Sequence, residues 1–312
     1  MKKILVVGSS NTDLIIKVPE IPRPGETLLG GAFQTFPGGK GANQAVAAAR
    51  AGGDVVFIAS VGDDDYGKAA VNGYKLDNIN TANIKVCKGI PSGIAMITIS
   101  DKGENAITVA SGANAELMPA DLDEAEEAFH EADYMLVQLE TPLETVRKAI
   151  ELCREFNTRV ILNPAPAAEL PDEILAGTDI ITPNETEAER LTGITVSGED
   201  DAMRASRVLH DRGVDTVIIT LGSEGAFLSD QPGGVRSMVP GFKVDAVDTT
   251  AAGDVFNGQL AVCLAEGMEL IDAIRSAHAA AALSVQNLGA QSSVPRREET
   301  DYFLEEQQKK GQ

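Results

Sequence analysis

The run Tyr134-Met135-Leu136-Val137-Gln138-Leu139-Glu140, then Leu143–Phe156, then Arg159-Val160-Ile161-Leu162-Asn163-Pro164, decides the fold. Each apolar run is short and nearly continuous, the pattern of a strand buried on both faces. The segment between them has the length of a helix, and Asn163-Pro164 stops the second strand. Strand, helix and strand in this order make a parallel βαβ unit. The rhythm extends both ways: residues 4–7 end in Gly8, and residues 55–61 lead into Gly62-Asp63-Asp64-Asp65. Towards the C-terminus, Ile180-Ile181-Thr182 and Thr216–Thr220 repeat it. The expectation is an α/β fold with a doubly wound, mostly parallel sheet. The polar clusters after its strands then gather along one edge, where open α/β sheets bind ligands.

Two segments break the rhythm. Residues 14–18 and 28–36 are extended but punctuated by Pro19, Pro22 and Pro24. Residues 94–100 and 105–110 flank the turn Asp101-Lys102-Gly103-Glu104 and form a hairpin. Together they predict a small β-sheet lid, discontinuous at about 14–38 and 87–110, on a single α/β domain spanning residues 1–312. An apolar face carrying Ile94, Met96 and Ile97 is expected on it. The C-terminal residues 297–310 read as a charged helix that frays.

Composition narrows the function. The formal net charge is −21, against a nucleic-acid or anionic-membrane surface, which needs clustered Lys and Arg. Cys87, Cys153 and Cys263 are far apart with no CxxC pair, so they form neither a zinc pattern nor a disulfide framework. Residues 1–8 lack the apolar core of a signal peptide, and no run approaches a transmembrane span. A cytoplasmic protein is expected.

Two glycine-containing stretches carry chemistry. In Asp248-Thr249-Thr250-Ala251-Ala252-Gly253-Asp254, small residues lie between two carboxylates at a helix start. Backbone N–H groups there can cradle an anion, with Asp254 beside it as a base. An ordinary capped helix start reads the same way. Pro37-Gly38-Gly39-Lys40-Gly41-Ala42-Asn43 enters an alanine-rich helix that ends at Gly52. It fails the Walker A pattern, since Gln34 replaces the first Gly and Gly41 the final Ser or Thr. No GxGxxG follows a strand. Asn11 and Asp13 lie after the first strand, as ligand contacts or as an Asx-turn.

Gly38-Gly39-Lys40-Gly41-Ala42-Asn43, Asn184-x-x-Glu187, Thr220-Leu221-Gly222-Ser223-Glu224-Gly225 and Asp248–Asp254 occur in one order along the chain. In this the sequence resembles the ribokinase (PfkB-type) carbohydrate kinases over essentially its whole length. Its closest likeness is to the ribokinase branch, which tolerates Ala251 where the broad family has Gly. The resemblance implies a three-layer ribokinase-like fold and ATP-dependent phosphorylation of D-ribose at O5. It implies a sugar pocket of Asn11, Asp13, Gly39, Lys40, Asn43 and Glu140, with Asp254 as general base. The N–H groups of Ala251, Ala252, Gly253 and Asp254 would form the anion hole. ATP would lie against Thr220, Leu221, Gly222, Ser223 and Gly225, near Gly253 and His278. Asn184 and Glu187 would organise Mg²⁺ and phosphate through water. K⁺ would take oxygens of Asp248, Thr250, Ser284, Asn287, Gly289 and Ser293. A homodimer joined through the lids is implied as well. Two alternatives stand beside ribose phosphorylation: the same chemistry on 2-deoxyribose or a ketohexose, and a catalytically silent sugar-binding protein on this fold.

Overall fold

The computed structural model describes residues 3–310. In chain order its strands are β1 (Lys3–Val7), β2 (Asn11–Val18), β3 (Phe33–Gly38), β4 (Asp54–Gly62), β5 (Ile84–Cys87), β6 (Gly93–Ser100) and β7 (Asn105–Ala110). They continue with β8 (Tyr134–Val137), β9 (Arg159–Leu162), β10 (Ile180–Ile181), β11 (Thr216–Thr220), β12 (Gly225–Asp230) and β13 (Val235–Pro240). The large sheet has the order β13-β12-β11-β10-β9-β8-β1-β4-β5. It is parallel from β5 to β11, and the β11–β12–β13 end is antiparallel. The mostly parallel α/β sheet expected from the sequence is therefore present.

Alternation along the strands builds the three layers. Ile4 and Val6 join one core with Phe57, Val255, Leu260 and Ile274. Leu5 and Val7 join the other with Ile58, Phe129, Val146 and Leu209. The helices Lys40–Arg50, Ala252–Ala265 and Leu270–Ser284 cover the first face; Leu143–Phe156 and Glu199–Asp211 cover the second.

The small sheet has the order β3-β2-β6-β7, with β2 and β6 parallel and the outer pairs antiparallel. Its limits differ from the expected 14–38 and 87–110. Only Gly8-Ser9-Ser10 separates β1 from β2, so the chain passes straight from one sheet into the other. Asn11 and Asp13 thus stand in a strand of the small sheet and not in a loop after β1. Ile84–Cys87 belongs instead to the large sheet, where it covers the open edge of β4. The expected common face of Ile94, Met96 and Ile97 is also divided. Pleating puts Ile94 and Met96 on one face with Ile16 and Phe33, and Ile97 on the other with Asp13 and Ile107. Both faces therefore expose apolar side chains, Met96 at 63% and Ile107 at 56%.

The C-terminal segment does not fray within the described residues. Arg297–Lys310 is a continuous helix. Arg297 pairs with Glu266 and donates to the Ala51 carbonyl, and the Phe303 ring meets Phe242 edge-on at 5.2 Å.

Candidate active site

The helix Ala252–Ala265 starts where the parallel strands end. Thr182, directly after β10, donates to Asn257 Oδ1 at 2.7 Å, and Asn257 Nδ2 donates to the Gly253 carbonyl at 2.8 Å. The helix packs closely on Lys40–Arg50. A Cβ on Gly258 would lie 2.7 Å from the Ala48 nitrogen, so only glycine allows this approach. The approach brings two first-turn side chains onto Asp254. Asn43 Nδ2 donates to its Oδ2 at 3.0 Å and Gln44 Nε2 to its Oδ1 at 3.0 Å. Burial pushes the Asp254 carboxyl up, while the Lys40 ammonium and the two amides pull it back. For Lys40 burial acts against the charge, but Asp254, Glu140, Glu187 and Asp13 outweigh it and hold the ammonium above its ordinary value.

Ala251 caps the helix in the left-handed region, at φ 61°. That turn aims first-turn N–H groups outward. The amides of Ala251, Gly253 and Asp254 have no acceptor among the described residues, while that of Ala252 reaches the Thr249 carbonyl at 3.3 Å. Of the four amides expected to form an anion hole, Ala252 is thus partly engaged.

The residues expected to hold the sugar run from the start of the Lys40–Arg50 helix to β2. Glu140 accepts from Ser9 Oγ at 2.5 Å and from the Lys40 amide at 3.0 Å, fixing the start of the Lys40–Arg50 helix. Gly39 turns the chain into that helix at φ 90°, with room for a Cβ denied by the Asn11 nitrogen 2.6 Å away. Asn11 Oδ1 accepts from Asn114 Nδ2 at 2.7 Å. Asn11 and Glu140, with Asn114, line a cavity of about 370 Å³; Asp13, Gly39, Lys40, Asn43 and Asp254 do not line it. Burial, with Glu140 and Asp254 nearby, pushes Asp13 up to about 7. Asn43 Oδ1 is buried without a partner.

Two cavities meet at Thr249 and Ala252. The polar one, about 210 Å³, is lined by Lys40, Asn184, Glu187, Thr220, Gly253 and Asp254. The apolar one, about 240 Å³, is walled by Gly222, Ser223, Phe242, Val244 and His278. The His278 ring lies tilted by 57° against that of Phe256, with centroids 5.0 Å apart, and burial pushes its pKa down to about 4, so it is neutral. Leu221 turns its side chain into the core, and Gly225 takes φ 113° against β13; both shape this loop from behind.

Asn184 and Glu187 form a reciprocal capping box: each side chain accepts from the other's backbone amide at 2.9 Å. One Glu187 oxygen is thereby engaged, and the other remains for a ligand in the polar cavity. Burial raises its carboxyl above the ordinary value. One such carboxylate beside bound phosphates fits the hard oxygen coordination of Mg²⁺.

Asp248 ties two loops together, accepting from the Thr250 amide at 3.0 Å and the Gly289 amide at 2.9 Å. These bonds outweigh burial and hold its carboxyl below the ordinary range. The Val285 carbonyl, next to Ser284, accepts from the Asp248 amide at 3.1 Å. Ser284 and Ser293 are buried and donate their hydroxyl protons to the Ala281 and Ala290 carbonyls, leaving oxygen lone pairs free. Asn287 is exposed and donates to Leu283. Neutral oxygens and one carboxylate are the donor chemistry that suits a monovalent cation; Thr250 and Asn287 are exposed, whereas Ser284, Gly289 and Ser293 are buried.

Comparison with known proteins gives the family. Residues 1–297 match the pfkB family of carbohydrate kinases. The chain belongs to that family. A ribokinase of Haemophilus influenzae is 47% identical over 304 residues, 97% of this chain and 99% of that protein. A deoxyribokinase of Salmonella typhi is 39% identical over 302 residues, 96% of this chain and 98% of its own. The structure of Arabidopsis thaliana ribokinase complexed with ribose and ATP superposes with a TM-score of 0.92 at 32% identity, covering 97% of this chain and 99% of that one.

Other polar residues, which the sequence alone does not single out, surround the site in this carbohydrate kinase. Gln44, Gln138, Asn163 and Asn114 are buried polar residues bonded to the site or to one another. One signal for Gln44 exists: it is polar in an alanine-rich helix, next to a motif asparagine.

Proposed function

We propose that this kinase transfers the γ-phosphoryl group of ATP to O5 of D-ribose, giving D-ribose 5-phosphate and ADP. The observation that carries the reading is Asp254 itself: a buried carboxylate, each oxygen held by one amide, lining a polar cavity together with unengaged helix-start N–H groups. Similarity to ribokinases over nearly the whole chain supports ribose as the acceptor.

Asn11, Asp13, Gly39, Lys40, Asn43 and Glu140 hold the sugar, and Asp13 accepts from its hydroxyls. Asp254 takes the O5 proton as the O5–phosphorus bond forms and the bond from γ-phosphorus to the ADP oxygen breaks. The amides of Ala251, Gly253 and Asp254, with Lys40, stabilise charge on the transferred group. The adenine lies in the apolar cavity by Gly222, Ser223 and His278, with Thr220 towards the phosphates. Asn184 and Glu187 would organise Mg²⁺ through water, and the ion would supply neutralisation of the phosphate charge. Oxygens of Asp248, Thr250, Ser284, Asn287, Gly289 and Ser293 would hold K⁺, which would support the anion hole. The chain acts as one catalytic unit in the cytoplasm, with the small sheet as lid and two copies joined through their lids.

The test is ADP release from ATP with a panel of sugars, with and without K⁺, for wild type and Asp254→Asn. Ribose-dependent turnover that rises with K⁺ and falls at least about 100-fold in the variant is expected. Equal turnover in both proteins would remove Asp254 from the chemistry. The deoxyribokinase relative keeps a second reading, 2-deoxyribose, and a higher kcat/KM for that sugar selects it.

A further inference from the structure

Gln44 contacts Asp254 but lines neither the cavity by Asn11 and Glu140 nor the polar cavity by Glu187 and Gly253. It is fully buried. Its Nε2 donates to Asp254 Oδ1 at 3.0 Å and to Asn163 Oδ1 at 3.1 Å, and its Oε1 accepts from Gln138 Nε2 at 2.6 Å. Asn163 in turn donates to the Thr182 carbonyl at 3.2 Å. A reversed amide would set its oxygen against the Asp254 carboxylate and the Asn163 oxygen, so Gln44 has one orientation. The chain of bonds runs from Asp254 to residues just after β8, β9 and β10, the stiff edge of the large sheet. Asn43, by contrast, binds Asp254 from the sugar side, on the same helix.

We infer that Gln44 is a positioning residue: it anchors the Asp254 carboxylate to the ends of β8 and β9 and keeps it turned towards the sugar hydroxyl. The inference rests on the reading of Asp254 as base. A base must present its oxygen within hydrogen-bond reach of the hydroxyl, and a small misplacement lowers the rate steeply. A carboxylate with one donor removed can rotate about its last bond, and it loses a charge-assisted hydrogen bond that favours its anion. The charged groups facing Asp254 are Lys40 on the helix of Gln44, Asp13 on β2, Glu140 after β8 and Glu187 at the start of its helix. Lys40 alone among them favours the anion, so the neutral donors matter to its charge.

The experiment compares kcat, both KM values and the pH profile of kcat for wild type, Gln44→Leu, Gln44→Glu and Asp254→Asn, with melting curves for each. In Gln44→Leu, kcat is expected to fall about 100-fold while the KM values for ribose and ATP stay within about threefold. In Gln44→Glu, two carboxylates share a proton, and the acidic limb of the profile moves up by about one unit or more. This one-atom change keeps the test open if Gln44→Leu fails to fold. An unmoved acidic limb in Gln44→Glu, or a loss of kcat in step with lost folded protein, overturns the inference while an inactive Asp254→Asn leaves the base in place. Wild-type turnover by Asp254→Asn overturns the base reading and the inference with it.

Discussion

Ala251 shows how one residue can bear a local cost at a site. Of the non-glycine residues with positive φ, Asn78 and Asn157 are of a type that tolerates the left-handed region, and Ala251 is not. Its Cβ there crowds the following carbonyl, at a cost of roughly 1–2 kcal/mol. Ala251→Gly should therefore raise unfolding stability by up to about 1 kcal/mol in urea, with the helix start unchanged. Ala251→Val should lower both stability and turnover, because a β-branched side chain fits this region worst. Asp13 gives a pH signature. Its carboxyl titrates near 7 in the fold against 3.8 in an ordinary setting, chiefly through burial. The folded state then holds a proton that the unfolded chain has lost, so stability falls as pH rises between these values. Asp13→Asn, a mimic of the protonated form, should match wild-type stability below about pH 4 and exceed it increasingly up to about pH 7, then level off. Melting temperatures across that range, without sugar, check the sign. In the wild type the KM for ribose should rise as pH falls below about 7, since only the anion accepts from two hydroxyls.

At the scale of elements, the decisive contact is between the helices Lys40–Arg50 and Ala252–Ala265. One brings Asn43 and Gln44, the other Asp254, and Gly258 sets their separation. Gly258→Val forces the pair apart at a backbone atom, which no side-chain rotation relieves. A loss of about 1–3 kcal/mol in stability is expected, with a fall in kcat larger than any change in the KM for ATP. Wild-type kinetics in this variant would mean that the helix spacing does not set the geometry of Asp254. Both helices, and the motifs at their starts, are legible in the sequence because glycines, a lysine and carboxylates stand together in short runs. Asn184 and Glu187 are legible as a family motif, and the structure adds that they form a capping box. Gln44, Gln138 and Asn163 are not, because their meaning lies in pairing: Gln44 and Asn163 are 119 residues apart and meet only after the sheet brings strand ends together. The register of the small sheet is hidden for a related reason. Ile94, Met96 and Ile97 are all apolar, so hydrophobicity does not reveal which of them face the same way, whereas pairing with Thr12, Leu14 and Ile15 does.

For the molecule as a whole, the small sheet and the charge act against one another. Apolar side chains on both faces of that sheet, among them Ile16, Phe33, Met96, Ile107 and Val109, favour covering by a second copy. A formal charge of −21 on each copy opposes it. At low ionic strength the repulsion reaches across about 30 Å, and near 0.1 M salt it is screened beyond about 10 Å. Apolar burial depends little on salt over this range. Lid pairing should therefore tighten as salt rises from about 0.01 to 0.15 M, opposite to an interface made by ion pairs. Light scattering at several protein concentrations reads this directly. Met96→Asp and Ile107→Asp test the two faces separately: the variant that leaves only monomer identifies the face that pairs. Dimers of equal strength in both variants, or a monomer at every salt concentration, would remove the lids as the joint between copies. If lids do pair, ribose-dependent turnover should rise with the dimer fraction, because Asn11 and Asp13 stand in β2, inside the sheet that the partner would brace.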